Sequence, residues 1–132
     1  MKRFLVSTML LMFLFSTSVF SAHLHRESWY QKRWCENRKG VVEAPLSYQT
    51  RCDCLTETHA IEFDFAKKWA EAIGQSLWYA SQTGMKPGIV LIIERDKDQK
   101  YVDILLATIQ FYGLPIDVWT MTSEGFENEE VE

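Results

Sequence analysis

Residues 59–65, His-Ala-Ile-Glu-Phe-Asp-Phe, constrain this chain more than any other stretch. Ile61, Phe63 and Phe65 alternate with Glu62 and Asp64, and a period of two is that of a β-strand with one apolar face. Just upstream, Cys52, Cys54 and Leu55 surround a single acid, Asp53. If the apolar residues go to the core of a half-buried sheet, Asp53, Glu62 and Asp64 project together from its other, solvated side. Clustered carboxylates repel one another, so such a group either holds a cation or stays well hydrated.

The flanking segments read as alternating helices and strands. Glu27 to Asn37 is expected to be helical, with Tyr30 and Trp34 facing inward and Gly40 closing the end. Val41 to Tyr48 and Thr50 to Thr56 form a hairpin, in which Pro45 argues for an edge strand or a bulge and Glu43 is a fourth candidate acid. From about Ala66 to Gln82 the spacing predicts a helix with Trp69, Ile73, Leu77 and Ala80 as its apolar stripe. Another of its faces carries Lys68, Glu71, Gln75 and Tyr79. Gly84 stops that helix, Pro87-Gly88 resets the chain, and Ile89 to Ile93 reads as a strand covered on both faces. Asp96 and Gln99 have capping-box spacing ahead of a helix through Tyr112, and Ile116 to Met121 is a last strand. The resulting order, α-β-β-β-α-β-α-β, implies an α/β domain with a mixed central sheet flanked by helices.

At 132 residues the chain has room for one core. Met1-Lys2-Arg3 followed by the uncharged run Phe4 to Phe20 predicts a secretory signal peptide over 1–21, cleaved before Ala22, with an uncleaved anchor as the alternative. On that reading the folded domain spans 22–121 and the Glu-rich segment 122–132 is a disordered acidic tail; the protein is periplasmic or secreted, without stable membrane association after cleavage. The net charge of −4 becomes −6 without the leader, and about −1 once the five tail acids are also set aside. No general basic footprint for nucleic acid results. The basic residues of the mature chain gather at Lys32, Arg33, Arg38 and Lys39, where phosphates would be met or a helix face simply solvated. In an oxidising compartment Cys35 is free to bond either Cys52 or Cys54, and three buried thiols is the competing reading. His23 and His25 are expected in solvent.

A strand Asp, a Glu-x-Asp on the next strand and a following helix with Gln75-x-x-x-Tyr79 resemble the PD-(D/E)XK nuclease superfamily, whose core has the same α-β-β-β-α-β order. The likeness covers about Glu27 to Ile93 and is closest to RecB-like and Holliday-junction-resolvase-like members. It implies a restriction-endonuclease-like fold, hydrolysis of DNA or RNA phosphodiesters, and Mg²⁺ or Mn²⁺ as cofactor. By resemblance, Asp53 and Glu62 would ligate the metal with the Phe63 carbonyl, joined by Glu43 and Asp64. Gln75 and Tyr79 would position the nucleic-acid backbone or the site's own side chains, with Arg33 and Lys39 as further nucleic-acid contacts. The family's usual lysine position holds Asp64 here, so Lys68 is the candidate to orient the attacking water. A nuclease-fold module that has lost catalysis and binds a partner in the bacterial envelope is the alternative.

Overall fold

The computed structural model describes residues 22–126; the leader expected over 1–21 and the tail beyond 126 lie outside them. Helix α1, Glu27–Asn37, precedes strands β1 (Val41–Pro45), β2 (Arg51–Leu55) and β3 (His59–Phe65). A single tight turn at Ala66–Lys68 leads into α2 (Trp69–Thr83), then β4 (Lys86–Ile93), α3 (Gln99–Tyr112), β5 (Asp117–Thr122) and the two-residue β6 (Gly125–Phe126). The strands make one mixed sheet in the order β1-β2-β3-β4-β5-β6. β1, β2 and β3 pair antiparallel, whereas β3, β4 and β5 are parallel. This follows from the connections: short turns join antiparallel neighbours, and the crossovers through α2 and α3 return the chain in the same direction.

Both faces of the sheet are covered. On one, Tyr30, Trp34 and Cys35 of α1 pack on Ile61, Phe63, Val90, Ile92 and Met121. On the other, Ala72 of α2 and Val102 and Leu105 of α3 pack on Ile89, Leu91 and Val118. Central β4 is accordingly apolar on both sides, the pattern of a strand sandwiched between helix layers. This corrects the expectation of a solvated acid face. Glu62 and Asp64 lie on the α2 side, only 2% and 3% exposed.

Other differences are local. In α2 the fully buried residues are Ala72, Ser76 and Tyr79, while Trp69, Ile73 and Leu77 pack at the flank. Small residues at the centre bring the helix backbone close to the sheet, and larger ones fill in beside it. Pro87-Gly88 lies inside β4 rather than before it. The turn before α3 is held by Asp98, not Asp96: its Oδ2 accepts the backbone N–H groups of Glu94 and Arg95 at 3.3 and 3.1 Å. Gly125 and Phe126, expected within a disordered tail, turn back to pair with Thr122 and Met121. Pro45 does sit on an edge strand, and Gly84 and Gly113 end their helices in the left-handed conformation that glycine adopts at least cost.

A disulfide joins Cys35 to Cys54 and leaves Cys52 free and buried. Cys54 belongs to the cluster beneath α1, so it meets Cys35. Cys52 donates its thiol to the Cys54 and Ile61 carbonyls. Gly40 completes the arrangement, because a Cβ there would stand 2.7 Å from both bridged sulfurs.

Candidate functional site

The acids meet where β2 and β3 part. Their pairing runs through Leu55↔Ala60 and Cys54↔Ile61 and does not continue to Asp53 and Glu62, whose carboxyls act on each other across the gap. The backbone ladder stops there, and the Asp53 side chain takes over: its Oδ2 accepts the Phe63 N–H at 2.8 Å. On the other flank, the β1–β2 register runs through Val42↔Cys54 and Ala44↔Cys52 and skips the position between them. That position is Glu43 opposite Asp53, with Glu43 in the left-handed region at φ 53°. A non-glycine residue there is strained, and the kink interrupts the edge strand beside the acids. Glu43, Asp53, Glu62 and Asp64 thus gather around this break, with Asp64 two residues after Glu62 on the same face of β3.

Glu62 is the centre of the group. Asp53 and the Tyr79 hydroxyl of α2 both act on its carboxyl, yet its buried Oε2 has no hydrogen-bond partner. Asp53 is further influenced by the Gln31 side chain of α1, and Tyr79 by Gln75. Burial first, and neighbouring acids second, push the Asp53–Glu62 pair upward, Glu62 the more strongly. Burial also raises the Asp64 carboxyl to about 6, although Lys68 and the Phe65 N–H oppose the shift. The Lys68 ammonium lies 3.9 Å from Asp64 Oδ1.

Sequence reasoning missed Glu27. It begins α1, and burial together with repulsion from Asp53, Asp64 and Glu43 lifts its carboxyl to about 7. Gln31, one turn later on the same helix, shares its direction. The only available signal was this pair of polar residues four apart beside the inward-facing Tyr30 and Trp34. An acid in a helix's first turn has an ordinary explanation in the helix dipole, which hid it.

The remaining candidates fall as follows. Gln75 and Lys68 are exposed at the rim, whereas Tyr79 is buried against Ala44, Cys52 and Ala60. Arg33 lies over the Trp29 ring at 4.1 Å, two residues past Gln31 and so on the opposite side of α1. Lys39 occupies the α1–β1 turn with φ 54°. His23 and His25 are engaged rather than free: His23 bonds Glu94 and stacks on Phe65, and His25 stacks on Trp29. His59, too, has a partner, bonding Asp117 at 2.7 Å.

Among the described residues, no group of three His, Cys, Asp or Glu side chains stands in a ready-made metal-binding arrangement. The donor set nevertheless suits a hard divalent cation, which takes carboxylate and carbonyl oxygens and keeps several waters. Glu62 Oε2, buried and unpartnered beside Asp53, is the atom such an ion would satisfy. No helix of the described residues is long and apolar enough to cross a membrane. Searches for a matching family model, curated protein or solved structure returned none.

Proposed function

We propose that this chain is an exported, nuclease-like protein of PD-(D/E)XK type that hydrolyses nucleic-acid phosphodiesters at the fork between β2 and β3. The observation that carries the reading is the partnerless Glu62 Oε2, buried beside Asp53 where the two strands separate. The order of elements and the switch from antiparallel to parallel pairing at β3 agree with that superfamily's core. The Cys35–Cys54 disulfide agrees with export to an oxidising compartment.

Asp53 and Glu62 would hold Mg²⁺ or Mn²⁺ together with the Phe63 carbonyl, with Glu43 and Asp64 as outer acids. A bound ion of this kind lowers the pKa of its water and stabilises charge building on a phosphodiester. The chain's own groups supply the rest. Tyr79 and Gln31 fix the orientation of the two carboxylates from α2 and α1. Lys68 reaches back beside Asp64 and would hold the attacking water, as the family's lysine would from the position Asp64 occupies.

Asp64 at that position favours a second reading, a nuclease-fold module that binds nucleic acid or an envelope partner without cleaving. The test is incubation of the chain from Ala22 onward with single- and double-stranded DNA and with RNA, in Mg²⁺ or Mn²⁺, beside Asp53→Ala and Glu62→Ala. Metal-dependent cleavage lost in both variants supports the enzyme. Absence of cleavage by the folded protein favours the binding module.

A further inference from the structure

The turn between β1 and β2 is built against the ordinary preferences of a hairpin. Tyr48 and Gln49 both adopt left-handed backbone, φ 57° and 59°, in consecutive positions where glycine or asparagine is the low-cost choice. A bulky aromatic residue at positive φ is an outlier that local sequence does not favour. The tyrosine ring gains no burial in return: it is 84% exposed.

The surrounding contacts hold the loop in this shape. Leu46 N–H bonds the Thr50 carbonyl at 2.9 Å, and the Thr50 hydroxyl bonds the Ser47 carbonyl at 2.8 Å. The Trp78 indole N–H on α2 reaches across to Thr50 Oγ1 at 3.1 Å. Trp78 lies 5.8 Å from Tyr48, centroid to centroid, with the rings inclined at 52°. The two rings are in tilted contact, and Tyr48, backed by Trp78 on one side, keeps its outer face open to solvent. The pair also stands next to the acid fork. Trp78 is followed by Tyr79, which acts on Glu62, and exposed Arg51 at the foot of the loop is two residues, about 7 Å, from Asp53 along β2.

We propose that the exposed face of Tyr48, backed by Trp78, is a stacking site for an unpaired nucleobase, with Arg51 serving the adjoining phosphate, so that the fork receives single-stranded or locally unpaired nucleic acid. This inference rests on the nucleic-acid reading given above and narrows its substrate class. Base stacking on an exposed aromatic ring needs a base freed from its duplex and is tolerant of sequence. Exposed Arg51 offsets the repulsion that the acidic fork exerts on phosphate. Strained backbone of this kind persists only where surrounding contacts impose it, and it clusters at ligand-binding sites.

The test is the fluorescence anisotropy of a labelled short oligothymidylate, titrated with wild type, Tyr48→Ala, Tyr48→Phe and Tyr48→Gly in Ca²⁺. The same strand carrying abasic sites and a blunt duplex serve as controls. Cleavage in Mg²⁺ or Mn²⁺ is measured in parallel. The expected result is about ten-fold weaker single-strand binding for Tyr48→Ala and Tyr48→Gly, retained binding for Tyr48→Phe, and no effect of any variant on the abasic strand or the duplex. Tyr48→Gly should at the same time raise the melting temperature, because it relieves the positive φ. Wild-type binding that is absent, or equal in Tyr48→Ala, overturns the stacking site even if metal-dependent cleavage is found. Tyrosine-dependent binding without any cleavage upholds the stacking site and overturns the catalytic reading alone.

Discussion

Two glutamates of this molecule, Glu94 and Glu62, are both withdrawn from solvent and treated in opposite ways. Glu94, just past the end of β4, receives the Tyr30 hydroxyl at 2.8 Å, the His23 ring at 2.7 Å and the backbone N–H groups of Leu24 and His25. Those hydrogen bonds outweigh its burial and hold its carboxyl below the usual range. Glu62, in the middle of β3, has acids for neighbours and an oxygen without a partner, and its carboxyl is driven upward. Glu94 is therefore complete as it stands and fastens the segment before α1 to the sheet. Glu62 is completed only by a proton or a cation. The contrast separates an acid whose hydrogen bonds stabilise the fold from one whose burial costs it, and the proposed function is built on the second.

The contrast is tested most severely by truncation. On the proposed nuclease reading, Asp53→Ala and Glu62→Ala should each lower metal-dependent cleavage by at least about a hundred-fold, measured as kcat/KM, without loss of folded protein. Next in size is the disulfide. Replacing Cys35 and Cys54 by Ser opens a loop of sequence separation 19 and should lower unfolding stability by about 3 kcal/mol in urea titrations, with reductant producing the same loss in the wild type. Glu94→Gln should cost about 1–3 kcal/mol by the same measurement, since it removes the charge to which its donors are directed. Glu62→Gln should leave the metal-free stability nearly unchanged. Equal losses in Glu94→Gln and Glu62→Gln would abolish the distinction.

A smaller effect sharpens it further. The folded-state values of Glu27 and Asp64, about 7 and about 6, lie above their ordinary values of 4.5 and 3.8. A group whose folded pKa is raised contributes stability that is full below its unfolded value and lost as pH rises through the folded one. Glu94 and Asp117 are lowered, and their contributions disappear in the other direction, below about pH 4. The metal-free protein should therefore melt highest near pH 5 and lower at pH 8. Glu27→Gln should flatten that decline. A melting temperature that climbs steadily from pH 5 to 8 without metal would mean that the fork acids are not strained by their burial.

Much of this arrangement was legible in the chain because it follows from period and spacing. The alternation Ile61-Glu62-Phe63-Asp64-Phe65 assigned the acids to one face, and the aliphatic run Ile89 to Ile93 identified the central strand. Whether that acid face met solvent depended on α2, whose buried residues are Ala72, Ser76 and Tyr79 rather than the apolar stripe of Trp69, Ile73 and Leu77. The choice between Cys52 and Cys54 was not decidable locally: alternation assigns both to one face, whereas the break at Glu43 and Asp53 leaves Cys54 beneath α1 and turns Cys52 towards Tyr79. The positive φ of Glu43, Tyr48 and Gln49 left no sequence mark, because none of the three is glycine or asparagine. Tertiary contacts impose these conformations, and local propensity opposes them.

The central claim is that Glu62 and Asp53 are held together for a divalent cation. Calorimetric titration of Mn²⁺ into the chain from Ala22 onward at pH 8, beside Glu62→Gln and Glu94→Gln, tests it most directly. The account predicts one saturable site with proton release in the wild type, retained in Glu94→Gln and lost in Glu62→Gln. A wild type that takes up no Mn²⁺, or a Glu62→Gln variant that binds it equally well, would contradict it.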